Sequence, residues 1–89
     1  MEKYVNLEKY REKAGLSQTD MAKLLNISRP FYNQLENGNR RMDLAVAKRI
    51  AAIIGTKLGW PASMSWLEEI FFTPKVAESN VEEVISQNA

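Results

Sequence analysis

The sequence predicts an all-α fold, a compact bundle of about five helices, and three observations carry that reading. Apolar residues recur three and four positions apart, with no β-type alternation of any length. Ser, Asp and Asn stand ahead of these stretches where helix caps belong, and Gly or Asn closes them. The chain's 89 residues, 45% hydrophobic and 26% charged, have the ordinary balance of one globular domain with a packed core.

In order along the chain, Asn6 is the expected N-cap of a first helix from about Leu7 to Ala14, with Leu7, Tyr10 and Ala14 on one face. Gly15 supplies its left-handed stop. Ser17 caps the second helix and Asp20 answers it as in a capping box. Met21, Ala22, Leu24 and Leu25 form its inward face, and it ends at Asn26, which tolerates positive φ. Ser28 caps the third helix, with Pro30 in its first turn, Tyr32 and Leu35 inward, and Gly38 closing it. Asp43 caps a fourth, with Leu44, Ala47, Ile50, Ala51 and Ile54 inward and a stop at Gly55. Residues 56–63 read as a loop. A fifth helix is expected from about Met64 to Phe72, ended by Pro74. The folded domain is thus placed at residues 1–73 and an acidic tail at 74–89. There Asn80 and Glu83 either frame a short helix carrying Val81, Val84 and Ile85, or the segment frays.

Composition narrows the chemistry. The chain has no Cys and no His, so it has no disulfide, no thiolate nucleophile and neither of the two commonest zinc ligands. Glu68-Glu69 and Glu82-Glu83 are sequence neighbours, which diverge by about 100° on a helix and cannot work as a catalytic pair. No Gly-rich phosphate loop is present either. The expectation is a protein without catalytic residues, metal or cofactor, and no small-molecule ligand is evident. The longest apolar run is Ile50-Ala51-Ala52-Ile53-Ile54, far short of a membrane span, and the N-terminus opens no signal sequence. A cytoplasmic setting fits. Charge is uneven: 11 Lys/Arg face 6 Asp/Glu through Trp60, but 1 Lys faces 5 Glu from Pro61 onward. The basic part could meet a polyanion, which the acidic end would repel.

The spacing of the second and third helices, within a motif at about residues 18–37, is the most informative feature. Helices joined by three or four residues cross steeply, and the close crossing needs a small residue, here Ala22. Asn26 suits the turn, Ile27 anchors it, and Met21, Leu25, Tyr32 and Leu35 supply the shared core. Together these define a helix-turn-helix. The stretches Leu16-Ser17-Gln18-Thr19-Asp20-Met21-Ala22 and Ile27-Ser28-Arg29-Pro30-Phe31-Tyr32-Asn33-Gln34-Leu35-Glu36-Asn37-Gly38 resemble the Cro and lambda-repressor-like (XRE-type) family. The likeness runs from about Leu7 to Gly55. Asn26 stands where Gly is commoner, and Tyr32 replaces the usual Ile or Val, so the core beneath the third helix must be reshaped or the phenol must reach an edge.

The resemblance implies a bundle that binds double-stranded operator DNA, usually as a homodimer, with the third helix in the major groove. Steps of about 100° put Pro30, Asn33, Gln34 and Asn37 opposite the buried Tyr32 and Leu35, with Arg29 and Phe31 on the flanks. The family pattern independently places base readers at Arg29, Pro30 and Gln34, beside Phe31 and Asn33. Arg29 could chelate guanine, and Gln34 or Asn33 could pair with adenine. Phe31 could press a thymine methyl, or it packs against the first or fourth helix. The resemblance also implies phosphate contacts from Gln18, Asn37, Arg40 and Arg41, and an ion pair between Arg11 and Glu36.

Trp66, Leu67, Ile70 and Phe71 are more apolar surface than so short a helix needs. They either close the domain's own core or, as the family often builds there, form a dimer contact. A sequence-specific transcriptional regulator, of the phage-repressor type, is the reading these features favour. The rival is an antitoxin or adaptor that uses the same fold to bind protein. The Arg, Asn and Gln on the outer face of the third helix argue against it. These residues do not separate a phage repressor from a restriction–modification controller.

Overall fold

The structure of the chain, a computed structural model, describes residues 3–72. Among the described residues it is all-helical: α1 (Val5–Lys13), α2 (Gln18–Leu25), α3 (Arg29–Glu36), α4 (Leu44–Leu58) and α5 (Trp66–Phe71). The expected tail, with Pro74 and the Asn80 to Ile85 stretch, lies outside the described residues.

Local chemistry starts three of these helices where the sequence places the caps. Ser17 and Asp20 complete a reciprocal capping box, each side chain accepting the other's backbone N–H at 2.9 Å. Ser28 Oγ accepts from Phe31 N at 3.2 Å, and Asp43 Oδ1 from Val46 N at 2.9 Å. The caps orient the helices so that one core forms from Leu7, Met21, Ala22, Leu25, Tyr32, Ile50, Ala51, Ile54 and Ile70. α2 packs chiefly on α3, while α5 closes the groove between α1 and α4. No helix among the described residues is long and apolar enough to cross a membrane.

Four expectations need correction. α1 begins at Val5, so Asn6 lies inside it and caps nothing; its amide donates to the Glu69 carbonyl on α5 at 3.3 Å. Leu24 and Leu44 are 52% and 59% exposed, because Met21, Ala22 and Leu25, and Ala47, Ile50 and Ala51, already fill the faces turned inward. α4 does not stop at Gly55 but runs on to Leu58 and ends at Gly59, at φ +70°. Gly55 is there for close approach: a Cβ on it would collide with the Trp66 indole. Finally, α5 is shorter than expected, Met64 and Ser65 lying ahead of it and Phe72 just after.

Rings lock α5 in place. Phe71 meets Tyr4 edge-on at 5.4 Å, Tyr10 meets Trp60 at 4.9 Å, and Trp60 meets Trp66 at 6.4 Å. Tyr10 Oη also donates to Glu69 Oε2 at 2.7 Å, and Trp66 Nε1 donates to the Pro61 carbonyl at 2.9 Å. The polar tips of Tyr10 and Trp66 are therefore satisfied at the edge of the core.

Candidate nucleic-acid interface

The turn between α2 and α3 is built as its residue types dictate. Asn26 takes the left-handed conformation (φ 61°, ψ 45°), and its N–H and that of Ile27 return to the carbonyls of Lys23 and Ala22 at 3.1 and 3.0 Å. Ile27 then packs against the core, and Ser28 starts α3 in a new direction with Pro30 in the first turn. α3 buries Tyr32, Leu35 and Glu36. Arg29, Pro30 and Gln34 are exposed, while Phe31, Asn33 and Asn37 are half-buried along the borders of that face.

Beneath this face lies a buried carboxylate. Glu36 is completely inaccessible, and four side-chain hydrogen bonds converge on it. Arg11 donates from Nε to Oε2 at 2.8 Å and from Nη2 to Oε1 at 3.1 Å. Gln18 Nε2 donates to Oε1 at 2.9 Å, and Tyr32 Oη to Oε2 at 3.0 Å. Burial alone would raise the Glu36 pKa; the bonds from Arg11, Gln18 and Tyr32, with the Arg11 charge, outweigh it and hold the carboxyl below its ordinary value. The same pairing raises the Arg11 guanidinium against the opposing effect of burial. Outward from this centre, Gln18 Oε1 accepts from Asn33 Nδ2 at 3.1 Å, and Asn33 Oδ1 accepts from Asn37 Nδ2 at 3.2 Å. A polar chain thus runs from the core to the edge of the exposed face.

A family model described as helix-turn-helix matches residues 7–60, more than half of the chain. The chain belongs to the XRE-type helix-turn-helix family. It is 39% identical over 54 residues to the uncharacterized HTH-type transcriptional regulator YqaF of Bacillus subtilis (strain 168), covering 61% of this chain and 66% of that protein. It is 38% identical over 48 residues to the control protein C.MunI of Mycoplasma sp, covering 54% of this chain and 65% of that one. The chain thus spans just under two thirds of the length of these curated relatives. No solved structure matches it significantly.

In this XRE-type domain the structure gathers Arg29, Pro30, Phe31, Asn33 and Gln34 along one side of α3, with Asn37 at its end. Gln18 comes alongside through its bond to Asn33, while Arg40 and Arg41 lie exposed beyond the helix. Phe31 is half-buried, and the Arg40 guanidinium sits over its ring, 4.7 Å from the centroid. Tyr32 reaches no edge. Its ring is fully buried, and the core accommodates the phenol by giving it Glu36 as acceptor. Burial, then the Glu36 charge and hydrogen bond, keep that phenol neutral far above the ordinary tyrosine range. Sequence reasoning missed this bond, although Tyr32 and Glu36 stand four apart on one helix, a spacing that brings side chains together. It also missed Arg40 as a partner of α3, which no local spacing announces.

The expected dimer contact needs revision at one position. Ile70 is 1% exposed and sealed in the chain's own core, so it has no surface to offer a partner. Trp66, Leu67 and Phe71 pack against that core but keep part of their surface, and Phe72 beside them is 57% exposed.

Proposed function

We propose that this chain is a sequence-specific, double-stranded DNA-binding transcriptional regulator, a phage-type repressor that acts as a homodimer. The observation that supports this most is the outer face of α3. Arg29, Pro30 and Gln34 are exposed on a helix whose start is fixed by the Ser28 cap. Such a helix enters the major groove N-terminus first, where Arg29 reads guanine and the neighbouring side chains read adjoining bases. Gln18, Asn37, Arg40 and Arg41 border that face, and the α2 and α3 N-termini favour phosphate. The names of the two relatives, a transcriptional regulator and a control protein, agree with this use of the fold. Two-fold pairing through the uncovered parts of Trp66, Leu67, Phe71 and Phe72 would set two reading helices about 34 Å apart on one face of the duplex.

Selection from a pool of random duplexes, followed by footprinting, tests the proposal. The expected product is a partly palindromic site whose affinity falls steeply with salt. Recovery of no enriched sequence at moderate salt removes the regulator and favours protein binding as the role of α3. With a site in hand, Arg29→Ala should relax preference at one base position, costing about 1–3 kcal/mol there. Arg41→Ala should instead weaken all sequences alike and lower the salt slope by about 1. Sedimentation on a single half-site and on the full site reports the stoichiometry. One chain per full palindromic site would rule out the dimer.

A further inference from the structure

The loop after α3 does not simply lead away from the reading helix. Gly38, at φ +78°, and Asn39 send their N–H groups back to the carbonyls of Leu35 and Gln34 at 3.2 and 2.9 Å. The chain therefore reverses over the last turn of α3 and delivers Arg40 beside it. Arg40 makes two contacts with reading-face side chains: its guanidinium lies over the Phe31 ring at 4.7 Å, and its Nε donates to Gln34 Oε1 at 3.2 Å. A guanidinium has no acceptor, so the Gln34 amide atom turned toward it is necessarily the oxygen. The amide NH2 of Gln34 then faces away from Arg40, toward the exposed side.

We infer that Arg40 is a specificity-determining residue, which sets the base preference of Gln34 by holding its amide oxygen. This rests on the DNA-binding reading above and deepens it. The major-groove edge of adenine offers an acceptor and a donor, so a glutamine must present both its amide groups to read it. Guanine offers two acceptors, O6 and N7. With its oxygen turned toward Arg40 and one of that oxygen's two lone pairs taken, Gln34 presents chiefly its NH2 group and meets a pair of acceptors more readily than a donor beside an acceptor. Gln34 therefore reads guanine in preference to adenine, against the adenine pairing that its residue type suggests. Arg suits the task and Lys does not, because only the planar fork can stack on Phe31 while donating sideways to Gln34. Arg40 then acts on sequence choice, whereas Arg41, which follows it, serves affinity.

The test is selection from one random duplex pool with the wild-type chain and with Gln34→Ala, Arg40→Ala, Arg40→Lys and Arg41→Ala. All three positions are exposed, and melting temperatures check that each variant folds. The position read by Gln34 is the one whose preference disappears in Gln34→Ala. At that position the wild type should select guanine. Arg40→Ala and Arg40→Lys should both shift preference toward adenine by about tenfold, the scale of one base contact. Arg40→Ala should change nothing there once Gln34 is already Ala. Adenine selected by the wild type, or Arg40 variants that lose affinity for every duplex with unchanged preferences, would overturn the inference and leave the DNA-binding reading standing. A wild type that enriches no duplex overturns both.

Discussion

Replacing Glu36 by Gln should cost the fold about 3–5 kcal/mol, the usual consequence of leaving one member of a buried ion pair without its partner. A domain of this kind has only about 5–15 kcal/mol to lose, so a large share of its stability depends on one carboxylate. The amide keeps the shape but offers a single acceptor where two oxygens now accept from Arg11, Gln18 and Tyr32. Urea denaturation of the wild type and Glu36→Gln measures the difference. A loss below about 1 kcal/mol would mean that water replaces the missing acceptor. The pH dependence has a definite sign. The folded Glu36 carboxyl titrates below its ordinary value of 4.5, so its contribution is complete above that value and disappears as pH falls through the folded one. Glu36→Gln should flatten this acid limb of the stability curve while leaving the region near neutrality parallel to the wild type.

Gly55→Ala should destabilise the domain by about 1–2 kcal/mol, although alanine is the better helix former. Two effects oppose each other at this position. Helix propensity favours the substitution by about 1 kcal/mol. Against it, the new methyl is driven into the Trp66 indole, which cannot swing aside because its N–H is held by the Pro61 carbonyl and its ring meets Trp60. Overpacking commonly costs about 1–3 kcal/mol and prevails when the obstacle is a pinned ring. Thermal unfolding should show a fall of roughly 10 °C for a domain of this size. Adding Trp66→Leu should recover part of it, because the shorter side chain removes the obstacle. A single substitution that raises the melting temperature would mean that α5 shifts freely along α4.

What could be read in the sequence was what a few neighbouring residues decide by themselves. Ser17 with Asp20, Ser28 and Asp43 satisfy backbone groups three positions on, and the structure places each cap where it was expected. Asn26 announced the turn for the same reason. Errors came where a distant partner outweighs a local preference. Asn6 looks like a cap until Glu69, 63 positions away, claims its amide. Gly55 looks like a helix stop until Trp66 is seen to require the missing side chain. On the candidate interface, helical spacing separated the outer residues of α3 from Tyr32 and Leu35. It gave no warning that Gln18, Asn33 and Asn37 bond to one another, or that Arg40 turns back to Gln34. The Arg11–Glu36 pair came from the family resemblance, since 25 residues separate its members.

Glu36 also closes loops that join α3 to the start of the chain, to α1 and to α2. Its backbone carbonyl accepts from Tyr4 N at 2.9 Å, and its side chain reaches positions 25 and 18 residues back at Arg11 and Gln18. Each closure carries an entropic cost before the contact rewards it, whereas the α2–α3 turn forms locally. The last turn of α3 is thus expected to be secured late, after the barrier to folding has been crossed. Weakening it should speed unfolding and barely change the refolding rate, a signature that a chevron plot of Glu36→Gln would display on one arm only. The residue that anchors α3 then governs how long each molecule stays folded more than how quickly it gets there.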